Sequence, residues 1–215
     1  MTERTRTIYL IRHALPDFGS EGRRCIGRTD LPLSEMGRVQ ASAVGRWLQT
    51  KGLTAVYSSP MQRAMQTALF LGPMAIRVPG LEEMNMGEWE GKNFDEIKRS
   101  YPEAYAERGR DIAHSAPPGG ESFVQCGLRA WAAFRGVLEQ STGNIAIVAH
   151  CSVNRSLLCQ IQGRDLSEVL TIEQPISSVN TLLENDRKLT VLSIGEVVSE
   201  TLIHSIKKEK QNGDS

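Results

Sequence analysis

No stretch of the sequence supplies the roughly 20 consecutive apolar residues that a membrane-spanning helix needs. The polar opening Met1–Thr7 also lacks the hydrophobic core of a signal peptide, so a cytoplasmic protein is expected. Neither sign of charge is in excess: Lys+Arg and Asp+Glu stand at 25 each. Bulk charge therefore argues against nucleic acid or an anionic membrane as partner. Cysteine is scarce, and Cys25, Cys126, Cys151 and Cys159 show neither CxxC pairing nor zinc-ligand spacing. They read as reduced thiols. None is followed six residues later by arginine, which excludes a Cys-x5-Arg loop. The signatures GxxxxGK(S/T), GxGxxG and HExxH are missing as well, and no internal repeat occurs. These patterns call for no cofactor and no metal.

What is present is enough apolar sequence, 40% of 215 residues, to bury one core. A single domain over residues 1–206 is expected, with a charged, disordered tail at 207–215. The most informative stretch is Ile8-Tyr-Leu-Ile-Arg12-His13, a short apolar run that ends in a cation and an imidazole. Such runs read as buried parallel strands, and open α/β sheets bind ligands beyond the carboxyl ends of their strands. The pattern recurs at Asn144–Ala149, followed by His150, 137 residues after His13.

Between these strands the chain alternates. Ser34 is placed to cap a helix with an apolar stripe of Val39, Ala43, Trp47 and Leu48, stopped by Gly52. Thr54–Tyr57 reads as a strand, and Ser59 with Pro60 as the cap and first residue of the next helix. That puts Arg63 in a first turn, where free N–H groups favour an anion. A short strand at Ile76–Val78 precedes the carboxylate-rich segment Leu81–Gly91. Residues 93–109 look helical, with Phe94, Ile97, Tyr101 and Tyr105 in register and Pro102 as a break. Ser122 and Gln125 suggest a capping box for a helix to about Gln140, buried through Phe123, Leu128, Trp131, Phe134 and Leu138. Cys151–Gln162 reads as a helix, and residues 181–193 as a hairpin around Asn185–Lys188. The whole predicts a three-layer α/β/α sandwich with a mostly parallel central sheet, an antiparallel edge and a small cap formed by insertions.

If Arg12, His13, Arg63 and His150 converge, they suit phosphoryl transfer. Two guanidinium groups neutralise phosphoryl oxygens, and their charge keeps an imidazole neutral and nucleophilic. A second histidine stabilises the equatorial oxygens. A glutamate from the 81–91 segment serves as acid and base. Arg23, Arg24 and Arg28 in the Gly- and Pro-rich loop 14–33 supply a positive edge.

These residues resemble the motifs of the histidine phosphatase (phosphoglycerate mutase-like) superfamily. Arg12-His13 is similar to its Arg-His-Gly signature, and Cys25–Gly37 to its substrate-loop stretch. Ser58–Thr67 looks like the second-arginine motif, Leu81–Gly91 like the general-acid segment, and Pro118–Ser122 with Val148–His150 complete the order. The likeness covers roughly residues 7–183. It implies His13 as phosphoryl acceptor, Arg12 and Arg63 as phosphate-binding residues, Glu83 as acid/base with Glu82 the competing assignment, and His150 as the second pocket histidine. Cys151 joins the substrate-binding set by its place beside His150. Departures occur at Ala14, Leu15 and Pro16 after the first histidine and at Cys151-Ser152 after the second. A backbone N–H remains at each site, so the departures re-shape the pocket rather than the chemistry.

The resemblance implies a metal-independent phosphatase acting on a small phosphorylated substrate through phosphohistidine. Within the family the chain looks similar to the α-ribazole phosphatase and broad-specificity branches, with sugar phosphates and phosphoserine as further candidates. A phosphoglycerate-type mutase and a non-catalytic anion- or partner-binding module are the alternatives.

Overall fold

The computed structural model describes residues 5–21, 24–72 and 74–198; the tail expected at 207–215 lies outside them. Among the described residues six strands form one sheet in the order β3-β2-β4-β1-β5-β6. At its centre β1 (Thr5–Arg12) and β4 (Asn144–Ala149) run parallel, with Leu10 opposite Ile147 and Arg12 opposite Ala149. That register brings the next residues, His13 and His150, off the sheet side by side. β2 (Leu53–Ser58) runs parallel to β4 on its other side, and the two-residue β3 (Ile76–Arg77) is the edge beyond it. On the far flank β5 (Ser178–Asn185) and β6 (Lys188–Val197) form the antiparallel hairpin. Asp186 and Arg187 turn it with φ of 47° and 67°, the left-handed pair that matches the twist of a two-residue hairpin.

Strand alternation divides the core into two layers. Ile8, Leu10, Ile145, Ile147 and Leu182 face α5 (Phe123–Gln140) and α6 (Cys151–Gln162), meeting Phe134, Val137 and Leu158. Tyr9, Ile11, Ala146 and Val148 face the other way, toward α1 (Glu35–Leu48) and α2 (Gln62–Ala68) through Val44, Leu48, Ala64 and Ala68. This is the predicted three-layer sandwich. The cap contains α3 (Phe94–Ser100) and α4 (Pro102–Arg110), with Pro102 starting the second helix. Ser34 caps α1 and the Ser122–Gln125 box opens α5, as their spacing indicates.

Four readings need correction. β1 begins at Thr5 rather than Ile8, because Arg6 is buried: its Nε donates to Glu184 of β5, and its other nitrogens reach the carbonyls of Ser141 (2.8 Å) and Leu138 (2.7 Å). Val39 and Leu128 are exposed, not buried. The inner side of α1 is built from small residues, since a Cβ on Gly37 or Gly45 would collide with the carbonyls of Leu15 and Phe70. Phe94 is exposed too, while Ile97 alone of the 93–109 pattern is fully buried. Lastly, α2 starts at Gln62 with Met61 as cap residue. Ser59 is occupied elsewhere, and the Gln62 N–H is met from another loop by Asp30 Oδ1 at 2.6 Å.

Candidate active site

The parallel ends of β1, β4 and β2 deliver the site. The His13 N–H donates to the Ala149 carbonyl at 3.0 Å, which continues the β1–β4 pairing one residue beyond the strands. Nδ1 of His13 lies 2.8 Å from the Ala14 carbonyl. A carbonyl only accepts, so Nδ1 holds the ring proton and Nε2 presents a lone pair. That lone pair accepts from Arg63 Nε at 3.3 Å. Burial, then the Arg63 and Arg12 charges, hold the His13 pKa well below its usual value, outweighing the Ala14 contact that raises it. The ring is neutral at physiological pH.

His150 is fully buried, its ring centroid 5.0 Å from that of His13. Its pKa is also pushed well down, first by burial and then by Arg63, His13 and Arg12. Nε2 lies 2.7 Å from Ser59 Oγ. Ser59 Oγ accepts from the Met61 N–H at 3.4 Å and can give its own proton to Nε2, which leaves a proton on Nδ1. Among the described residues, His150 Nδ1 and Arg12 Nε have no hydrogen-bond partner. Buried donors without partners are rare, and two of them here leave hydrogen-bonding capacity for an anion.

Arg63, 1% exposed, is held by the 27–29 loop: Nη1 donates to the Thr29 carbonyl and Nη2 to the Gly27 carbonyl, both at 2.8 Å. The loop is gripped from its other side by Glu90. The Glu90 carboxylate accepts from the N–H groups of Gly27 (2.9 Å), Thr29 (2.9 Å) and Arg28 (3.2 Å). Gly27 permits the close approach, as a Cβ there would run into the Met84 carbonyl. Arg12 Nη1 donates to the Gln174 carbonyl, and Gln174 belongs to a buried amide network with Asn154 and Asn180 that ends on the Leu10 carbonyl.

Glu83, 7% exposed, lines the same cavity of about 170 Å³ as Arg12, His13 and Arg63. Its Oε2 accepts from the Ser152 N–H in the first turn of α6 (3.3 Å), and Oε1 from the Met84 N–H (2.8 Å). Glu82, the competing candidate, turns away and accepts from the Gly80 N–H while facing Arg129 at 4.0 Å. Arg129 fixes this segment by donating to the carbonyls of Gly80 and Glu82 and to the carboxylate of Glu121.

Arg12, His13, Arg63, Glu83 and His150 thus come together. Cys151 is half-buried and opens α6, but the lining of this cavity does not include it. The Ala14 N–H, expected to remain for an anion, is taken by Thr67 Oγ1 at 3.0 Å. Arg24 reaches the cavity and Arg28 faces Glu121 at 3.6 Å, while Arg23 lies outside the described residues. The cysteines form no disulfide; burial drives the Cys25 and Cys126 thiols up to about 12. No group of three or more potential metal ligands occurs among the described residues, and no helix there is long and apolar enough to cross a membrane. Ser59, Glu90, Gln174 and Arg129 escaped the sequence reading as site residues. Ser59 and Glu90 sat inside segments already singled out, whereas nothing local marked Gln174 or Arg129.

Two histidines at neighbouring strand ends, two arginines and a cavity-lining glutamate are thus gathered at one edge of an α/β sandwich. The chain belongs to the histidine phosphatase superfamily (branch 1), whose profile matches residues 8–197. It is 31% identical over 180 residues to a 2,3-bisphosphoglycerate-dependent phosphoglycerate mutase of Bartonella henselae, covering 78% of this chain and 87% of that one. Among solved structures it is similar to Bacillus stearothermophilus YhfR, with TM-score 0.81, 30% identity and coverage of 89% and 98%. Its fold is also that of the α-ribazole phosphatase from Shigella flexneri, at TM-score 0.80, 23% identity and coverage of 89% and 97%.

Proposed function

We propose that the chain is a metal-independent phosphatase that hydrolyses a small phosphomonoester through a phosphohistidine on His13. The observation that carries the reading is the His13 ring, proton fixed on Nδ1 and Nε2 lone pair beside Arg63, in one cavity with Glu83. In the first step the Nε2 lone pair attacks phosphorus and the bond to the leaving oxygen breaks. Glu83, entering as the acid, gives that oxygen its proton. Arg12, Arg63 and the His150 Nδ1–H hold the equatorial oxygens. In the second step water attacks phosphorus, the P–N bond breaks, and Glu83 takes the water's proton. Inorganic phosphate and the original ring are the products.

The reaction is read as cytoplasmic, with a small phosphorylated molecule rather than nucleic acid or membrane as partner, in keeping with the balanced charge. The likeness to a phosphoglycerate mutase supports a second reading, phosphomutase. Product analysis separates them: a phosphatase releases free phosphate from a phosphorylated acid, and a mutase returns an isomer. The primary test is hydrolysis of p-nitrophenyl phosphate in the presence of EDTA by the wild type and His13→Ala. Turnover that disappears in the variant is expected. Turnover that survives in His13→Ala would sink the phosphohistidine mechanism.

A further inference from the structure

We propose that the leaving-group side of this cavity selects phosphomonoesters of apolar alcohols, a conclusion that rests on the phosphatase reading of the same site. Beyond the residues assigned to the phosphoryl group, the cavity is walled by Leu15, Pro16, Phe18, Ile26 and Ile176, with Arg24 beside them. Leu15, Phe18, Ile26 and Ile176 remain partly exposed, and none belongs to the apolar clusters that hold the fold together. Three separate segments, 15–18, 26 and 176, therefore bring large apolar side chains to one charged pocket without using them for the core. Apolar surface gathered in this way marks a binding function.

The lining is equally telling in what it omits. Among the described residues that form it, there is no Ser, Thr, Asn, Gln or Asp. Outside the residues assigned to the phosphoryl group, a polyol or amino-acid leaving group would give up water with only the Arg24 guanidinium to hydrogen-bond it in return, a cost that an apolar group does not incur. Arg24 adds the remaining charged side chain outside the catalytic set, and it is tied by Nη1 to the Gly91 carbonyl at 2.9 Å. The departures at Leu15 and Pro16 from the polar residues common in the family thus acquire a role, since they form part of the apolar wall.

The test compares benzyl phosphate with glycerol 1-phosphate. Both leave as alkoxides, so intrinsic leaving ability is nearly matched and the pocket decides the difference. A kcat/KM at least about 10-fold higher for benzyl phosphate is expected, the scale set by one or two apolar groups in a pocket. Phe18→Ala and Ile26→Ala should each lower that ratio several-fold, and Phe18→Leu should retain it. Equal turnover of the two esters, or a preference for the glycerol ester, overturns the apolar pocket while p-nitrophenyl phosphate turnover keeps the phosphatase reading alive. A protein that hydrolyses none of the three overturns both.

Discussion

His13 and His150 are both neutral because they are buried among arginines, and this has two pH consequences of known sign. Each folded-state pKa lies below the usual value near 6.5, so between the two values the unfolded chain binds more protons. Stability is therefore complete above about pH 6.5 and is lost as pH falls, by up to about 1.4 kcal/mol per pH unit for each ring. Urea denaturation at pH 7.5 and pH 5 should register the drop. The acid limb of kcat/KM, corrected for the ester's own ionisation near pH ~6, should lie well under 6.5. A limb centred at 6.5 would show an exposed, ordinary histidine. If Glu83 is the proposed proton donor, Glu83→Gln should lower kcat by about 10²- to 10⁴-fold on alkyl esters. The loss should be much smaller on p-nitrophenyl phosphate, whose leaving group needs little protonation. At this scale the sequence was most readable where a residue's position follows from a strand end: Arg12, His13 and His150 sit where apolar runs stop. Ser59 was misread as a helix cap, because its true partner, His150, lies 91 residues away.

Among the elements, the 27–29 loop connects Glu90 to the sheet edge that carries His13. Its N–H groups point to Glu90 and its carbonyls to Arg63, so one carboxylate holds the guanidinium that holds His13 Nε2. Glu90→Ala should cut kcat by about 10- to 100-fold through misplacement of Arg63. Glu90→Gln, which keeps an oxygen for Gly27 and Thr29, should lose much less, and both effects are read from steady-state kinetics. This relay was invisible in the sequence, where Glu90 was one of several carboxylates in the segment Leu81–Gly91 and nothing linked it to the 27–29 loop. Helix faces were legible only where large side chains marked them: Phe134 and Leu138 of α5 are buried, but the close packing of α1 relies on Gly37 and Gly45. A pattern of large apolar residues therefore pointed at Val39, on the wrong side.

Across the whole molecule, the buried Arg6–Glu184 pair joins β1 to β5 and to the end of α5. Arg6→Met leaves a buried carboxylate without its partner and should cost about 3–5 kcal/mol in chemical denaturation. Arg6→Met combined with Glu184→Leu should recover most of that loss. The sandwich itself was legible because its strands are apolar runs alternating with capped helices. The start of β1 was not, since a charged residue in a polar opening gives no hint of a partner 178 residues on.

The placement of β1 also bears on how the protein is made. It is made before the other strands of this sheet, yet both its neighbours, β4 and β5, come from residues 144–185. A nascent chain must carry Ile8–Ile11 unpaired until residues 144–185 have been made, an exposed apolar edge of the kind that invites aggregation and chaperone capture. His13 and His150 meet only after that wait, so the cavity they frame is among the last parts of the fold to assemble.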